Sequence, residues 1–261
     1  MTSLTRQVND ELGKIYEWLN ANKLSLHIGK TQFMLFCPNR KACMEEDICI
    51  NGSVIDRVSF IKFLGVMIDD KLNWSKHIKY IKSKISKSIG ILVKARKVFS
   101  VLTLMSLYYS LIYPYLSYCI HVWGSAYATH MKDLITAQKK ALRIISGVPP
   151  RTPSEPIFKK HGVLKISNIF NYSLGLFMFK YMNNMLPPIF QFFTLNCDIH
   201  AYNTRASLQL HIPLCPTLRS QKTLKYTGVK VWNAITTCMS TNCRISTFKT
   251  NVRKLLLDGT I

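Results

Sequence analysis

The sequence predicts an α+β fold, with a small αββ-type start followed by a longer, mainly helical remainder. Three observations carry this. Apolar residues recur at helical spacing over 3–22, the period shortens to that of strands between 24 and 68, and beyond Trp74 it returns to a spacing of three to four. At 261 residues the chain can bury a core without disulfides, and 48% hydrophobic against 18% charged residues excludes wholesale disorder.

Leu4, Val8, Leu12, Ile15 and Leu19 share one stripe, which predicts a helix near 3–21. "LSLHIGKTQFMLF" (24–36) then alternates and leads into a strand near 31–37, before Pro38. "DICINGSVIDRVSFIKFLGVMID" predicts strands near 47–50, 53–58 and 60–68, the first two joined at Asn51-Gly52, the strongest local hairpin signal. Ser75 can cap a helix near 75–99, in which Ile78, Ile81, Ile85, Leu92, Ala95 and Phe99 keep a three-to-four spacing. Lys76, Lys79, Lys82, Lys87, Lys94 and Lys97 lie mainly on its other faces.

No charged residue stands between Lys97 and Lys132, a span longer than a transmembrane helix needs. Pro114 interrupts it, and Ser110, Ser117 and five tyrosines (108, 109, 113, 115, 118) supply hydroxyls that lipid would not satisfy. Two buried helices meeting near Pro114 fit better, and no membrane partner is expected. Further helices are predicted near 130–146, with Gly147 at the C′ position, and near 166–186, stopped by Pro187-Pro188. After an irregular stretch over 200–220, two more are predicted at 221–235 and 246–257, the last capped by Ser246. "VPPRTPSEP" (148–156) reads as a linker, so the expected divisions are 1–74, 75–147 and 148–261.

Charge is unevenly spread. Residues 1–70 carry nine acids and eight lysines or arginines, whereas 71–261 carry Asp133, Glu155, Asp198 and Asp258 against 27 basic residues. A polyanionic partner is the natural reading of such a surface. Cysteines 37, 43, 49, 119, 197, 215, 238 and 243 suggest no disulfide framework, and with no secretory leader the thiols are expected reduced, in the nucleus or cytoplasm. Cys37, Cys43 and Cys49 are too widely spaced for a zinc site, and Cys238 and Cys243 lack a second pair, so no metal is expected. Asn51, Asn73 and Asn171 begin N-x-Ser triplets that carry no information without secretion.

Five stretches, in order, resemble the reverse transcriptase of non-LTR (LINE-like, jockey-type) retrotransposons. They are "EWLNANKLSLHIGKTQFMLF" (17–36), "FIKFLGVMIDDKLNWSKHI" (60–78), "YPYLSYCIHVWG" (113–124), "LITAQKKALRIISG" (134–147) and "GVKVWNAI" (228–235). His27 stands where the family has Asn in "LSLN". The resemblance implies that 1–74 is a palm remnant with a primer-grip-like hairpin, 75–147 a thumb-like helical region and 148–261 a C-terminal helical region. It also implies that the family's catalytic aspartates precede residue 17, so that fingers, nucleotide pocket and endonuclease are absent. A chain of this kind would be inactive alone as an RNA-directed DNA polymerase and hold no cofactor, the Mg²⁺ belonging to a complete parent enzyme.

Asp69-Asp70 then reads as a turn rather than a metal-binding pair. Met67 occupies the aromatic position, and no upstream strand supplies the further carboxylate that two-metal phosphoryl transfer needs. No catalytic residue is assigned. Lys30 matches the family lysine near the nucleotide phosphates, and a solvated lysine beside Thr31 is the competing reading. Lys76, Lys79, Lys82, Lys87 and Lys94 are the candidate contacts to RNA, DNA or an RNA–DNA hybrid, against a merely solvated face. Trp74 and Trp123 fit a buried core better than base stacking, and His77 and His121 fit core or capping roles better than ligation. Two functions stand side by side: a retroelement fragment that at most binds template–primer, or a host-retained helical interaction protein.

Overall fold

The computed structural model describes residues 2–36, 47–190, 193–199 and 206–260, in two compact units, Met1–His77 and Ile78–Ile261. Cys37 and Cys43, and the end of the strand expected over 31–37, lie outside the described residues.

The first unit opens with α1 (Thr2–Ala21), followed by a 3₁₀ turn at Ile28–Lys30. Six short strands come next: β1 (Gln32–Phe33), β2 (Cys49–Ile50), β3 (Ser53–Val54), β4 (Asp56–Arg57), β5 (Phe60–Phe63) and β6 (Val66–Asp69). They pair as β1 parallel to β4 and as two antiparallel hairpins, β2–β3 and β5–β6. Asn51 and Gly52 have φ of 47° and 74°, the two left-handed residues that a tight hairpin turn requires.

The core beneath is Ile48, Ile50 and Ile55, packed against Val8, Leu12, Tyr16, Leu26 and Phe33. Asn9 of α1 closes the open backbone of β2, its side-chain oxygen accepting from the Cys49 N–H at 3.0 Å and its amide donating to the Asp47 carbonyl at 3.2 Å. The expected stripe packs in part: Val8 and Leu12 reach this core and Leu19 is half-buried. Thr5 is buried, whereas Leu4, Ile15 and Trp18 are exposed. The packed face is thus the middle of the apolar stripe together with Thr5, Asn9 and Tyr16, which the stripe does not include.

All four expected strands are shorter than expected: among the described residues 31–37 pairs only at Gln32–Phe33, and 47–50 only at Cys49–Ile50. The span 60–68 folds as a hairpin that reverses at Leu64 and Gly65, with φ of 44° and 84°. Leucine is an unusual occupant of that conformation, which is why the turn is invisible to a reading based on Asn-Gly pairs. The span 53–58 divides at Ile55, whose N–H still donates to the Ile48 carbonyl at 2.9 Å while its side chain lies in the core; the chain then pairs with β1 from Asp56.

From Ser75 onward the long elements are helices, alongside an isolated bridge between Leu195 and Leu210: α2 (Ser75–Ala95), α3 (Val101–Leu111), α4 (Tyr113–Ser117), α5 (Ile120–Trp123), α6 (Ala128–Ile145), α7 (Glu155–Lys160), α8 (Ile166–Met182), α9 (Asn196–Ile199), α10 (Leu224–Cys238) and α11 (Ile245–Asp258). The uncharged stretch resolves into α3, α4 and α5, with Pro114 in the first turn of α4, and no helix among the described residues is long and apolar enough to cross a membrane. Gly147 has φ of 67° just past the end of α6, as expected of a C′ residue.

Boundaries differ where turn chemistry wins over periodicity. The helix expected over 75–99 stops at Ala95 and gives way to turns, Ser100 then capping α3 by accepting the Thr103 N–H; Phe99 is left 51% exposed. The helix expected over 166–186 ends at Met182, where Asn184 takes a left-handed φ of 53°, which asparagine tolerates, ahead of the prolines. α11 begins at Ile245 with Arg244 in the cap position, so Ser246 lies in its first turn and is not the cap.

α8 is the hub of this unit, packing against α4, α5, α6, α10 and α11. Phe179 of α8 stacks on Phe248 of α11 with centroids 4.3 Å apart, and Trp232 of α10 closes the group at 6.0 Å from Phe248. Gly175 lets α8 approach α10: a Cβ there would lie 2.7 Å from Ile235. A polar node sits inside this apolar packing. Gln138 of α6, 1% exposed, donates to the Tyr108 hydroxyl at 3.0 Å and the Leu164 carbonyl at 2.9 Å, and accepts the Ile166 N–H at 3.0 Å.

Replacing Gln138 by Leu preserves volume but orphans the Ile166 N–H and the Leu164 carbonyl. Leaving buried polar groups unpaired costs about 1–3 kcal/mol each at most, so Gln138→Leu should lose about 2–4 kcal/mol. Urea unfolding followed by circular dichroism measures it; a variant as stable as the parent would show that the node contributes nothing.

Candidate functional site

The Asp69-Asp70 pair ends β6, and the backbone beyond it curls back over the Asp69 carboxylate. One carboxylate oxygen accepts the N–H groups of Lys71 at 3.1 Å and Asn73 at 3.2 Å, and the other accepts that of Trp74 at 3.0 Å. Asp69 is 4% exposed. Leu72 and Trp74 have left-handed φ values of 51° and 64°, so the turn is costly and the carboxylate offsets that cost. Asn73 continues the relay by accepting the Ser75 N–H at 2.9 Å at the start of α2, the side-chain acceptor there being Asn73.

A polar cleft of about 170 Å³ opens beside the turn, with Asp69, Asp70, Lys71 and Lys76 among its walls. These residues do not fit a magnesium pair. Asp69 directs both oxygens into its own turn, the two lysines balance the two acids, and no group of three His, Cys, Asp or Glu side chains among the described residues is placed to share a metal ion.

His77, in the first turns of α2, receives the Met67 N–H on Nδ1 at 3.2 Å. An accepting Nδ1 requires the neutral ring, and burial pushes the imidazole down to about 4. His77 therefore fixes β6 to the start of α2 within the first unit.

The candidate lysines separate into three kinds. Lys30 is exposed at the end of the 3₁₀ turn. Lys76 lies over the Phe60 ring, 3.4 Å from its centroid, a cation–π contact that holds it to β5. Lys79, Lys82, Lys87 and Lys94 ride on α2 in the second unit, opposite or beside the buried row Ile78, Ile81, Ile85, Ile89 and Leu92. At 100° per residue, Lys87 and Lys94 point directly away from that row and Lys82 lies at its border. There Lys82 meets Asp133 of α6 at 2.8 Å, a partner 51 residues away that the helical pattern of α2 could not reveal.

Trp123 is fully buried, and its indole N–H donates to the Tyr118 carbonyl at 2.9 Å, so it is core and not a stacking platform. Trp74 is half-buried, its backbone committed to Asp69. His121 stacks on Phe177 at 6.5 Å.

Comparison with known proteins adds sequence relatives. The chain is 30% identical over 149 residues to the RNA-directed DNA polymerase from mobile element jockey of Drosophila funebris, covering 56% of this chain and 16% of the relative. The jockey polymerase of Drosophila melanogaster is 27% identical over the same length. The probable RNA-directed DNA polymerase from transposon X-element of Drosophila melanogaster is 22% identical over 167 residues, 63% of this chain and 18% of the relative. The chain thus spans less than a fifth of the curated relatives it matches. No family model and no solved structure matches it. Homologues of the chain are jockey-type, non-LTR transposon polymerases, in agreement with the resemblance carried by its motifs.

Two outcomes follow from this geometry. Asp69→Ala should destabilise the first unit by about 2–4 kcal/mol, since three N–H groups lose a charged acceptor, whereas Asp70→Ala should stay within about 0.5 kcal/mol. Equal effects in urea titrations would refute the assigned role of Asp69. For His77 the folded protein binds its proton less readily than the unfolded chain does. Stability from this group is therefore complete above pH 6.5, declines as pH falls toward about 4, and changes no further below that. His77→Gln should remove this component from a pH series of melting temperatures.

Proposed function

We propose that this chain grips the template–primer duplex of a non-LTR retrotransposon RNA-directed DNA polymerase, and that nucleotide transfer falls to other residues of such an enzyme. The observation that carries the reading is the division of α2 into a buried isoleucine row and an outward lysine face, within a region almost free of acids. Phosphates recur along a duplex, and cations recurring on a rigid helix can neutralise several at once without reading bases. Similarity to jockey and X-element polymerases supplies the biological context. The reading assigns the chain no cofactor of its own, Mg²⁺ being held by the catalytic carboxylates of a complete enzyme, and places its action in the nucleus or cytoplasm.

The alternative, a helical interaction protein, has one observation in its favour. The corner between α2 and α3 exposes Val98 by 80% and Leu102 by 82%.

Salt dependence separates the two. The chain should bind DNA duplex and RNA–DNA hybrid with little sequence preference. Substituting Lys79, Lys82, Lys87 and Lys94 together by Gln, which has similar helix propensity, should flatten the log–log salt slope by about 3 to 4, at about 0.9 per phosphate contact. The buried row is untouched, so helicity should persist. Unchanged affinity and slope in fluorescence anisotropy would favour the interaction protein.

A further inference from the structure

Only four acids stand in residues 71–261, and two of them, Asp133 and Glu155, hold ion pairs across elements. Asp133, on α6, binds Lys82 of α2; Glu155, at the start of α7, binds Lys165 at the entry to α8. Each acid is outnumbered. The carboxyl of Asp133 is held below the usual range by Lys82 first, and then by Lys132 and Lys79. That of Glu155 is lowered by Lys165 first, and then by Lys159 and Lys139. Each acid thus has one lysine in direct contact and feels the charge of two more, drawn from two or three elements, leaving an excess of positive charge at both places.

α6 joins the two clusters. Its buried side is Met131, Leu134, Ala137, Gln138, Ala141, Leu142 and Ile145, which leaves Lys132 and Thr136 facing outward and the half-buried Lys139 at the edge of that outer side. Lys132 belongs to the Asp133 cluster and Lys139 to the Glu155 cluster. Seven residues of helix separate them by about 10 Å, the axial rise of roughly three base pairs of a duplex.

We propose that the outer side of α6 is a second phosphate track, on which Lys79, Lys82 and Lys132 at one end and Lys139, Lys159 and Lys165 at the other receive the backbone of the same nucleic acid. This rests on the nucleic-acid reading of α2 and extends its footprint onto α6 and α7. Asp133 and Glu155 hold the flexible lysine side chains in place when no nucleic acid is bound, and the phosphates compete with them for those lysines. Exposed ion pairs of this kind contribute little to stability, so giving them up costs little.

Anisotropy titrations of the full chain with an RNA–DNA hybrid over a salt series test the track. Lys132, Lys139 and Lys159 replaced together by Gln should weaken binding and lower the slope by about 2 to 3. Asp133→Asn with Glu155→Gln should do the opposite, tightening binding several-fold and steepening the slope, an effect that loss of a purely structural ion pair would not give. A control removes the same charge from α10 and α11, with Lys230, Lys249 and Lys254 replaced by Gln, and should leave the slope nearly unchanged. Equal losses in the track variant and the control would overturn the proposal in favour of diffuse net charge. So would an acid variant that binds no better than the parent. A parent chain that fails to bind would overturn the nucleic-acid reading itself, whereas normal α2 dependence with an inert α6 would overturn the track alone.

Discussion

The helical unit depends on the buried amide of Gln138. A helix bundle built from leucine and isoleucine alone can slide or rotate by a turn at small cost, since apolar contacts are not directional. A primary amide cannot be so indifferent. Gln138 has donors and an acceptor aimed at three places, the Tyr108 hydroxyl on α3, the Leu164 carbonyl before α8 and the Ile166 N–H at its first residue. All three must be met once water is excluded. The node therefore sets the rotation of α6 and the point at which α8 enters the core. Since α8 carries the Phe179–Phe248 stack and the close approach at Gly175, the aromatic packing follows from it.

The β-rich unit is organised by a charge. Asp69 lies in a sequence context that invites a catalytic reading, two adjacent acids after an apolar strand. Its surroundings give it different work. Three backbone N–H groups converge on the carboxylate, and two non-glycine residues adopt left-handed conformations to bring them there. The same side-chain chemistry that binds a metal ion, oxygen lone pairs at fixed positions, here closes a turn and sets the start of α2. His77 completes the arrangement from the helix side by accepting the Met67 N–H.

On the surface the deciding quantity is how few acids there are. With 35 basic and 13 acidic residues, most lysines have no carboxylate to meet. Where a carboxylate is present, as at Asp133, it draws side chains from separate helices to one point. The amphipathic division of α2 and α6 turns a compositional bias into ordered rows, because burial of one side fixes the direction of the other.

Much of this was legible in the sequence. Helical periodicity located α1, α2, α6, α8, α10 and α11, Asn51-Gly52 located the first hairpin, and Gly147 located the end of α6. These are local properties: a stripe or a turn residue acts within a few positions of itself. The same locality explains what was missed. The Leu64-Gly65 reversal lacks the residue that normally announces such a turn, and nothing in the local pattern of α1 announces that Asn9 would meet the backbone of β2, 40 residues away. The lysine rows could be read from α2, but not that Lys76 lies over Phe60 or that Lys82 would meet Asp133. By itself the sequence determined the six long helices, the buried row of α2 and the excess of positive charge. Only the tertiary structure decided which polar groups meet, because a buried amide or a carboxylate takes its partners from whatever the folded chain brings within about 3 Å, however distant in sequence.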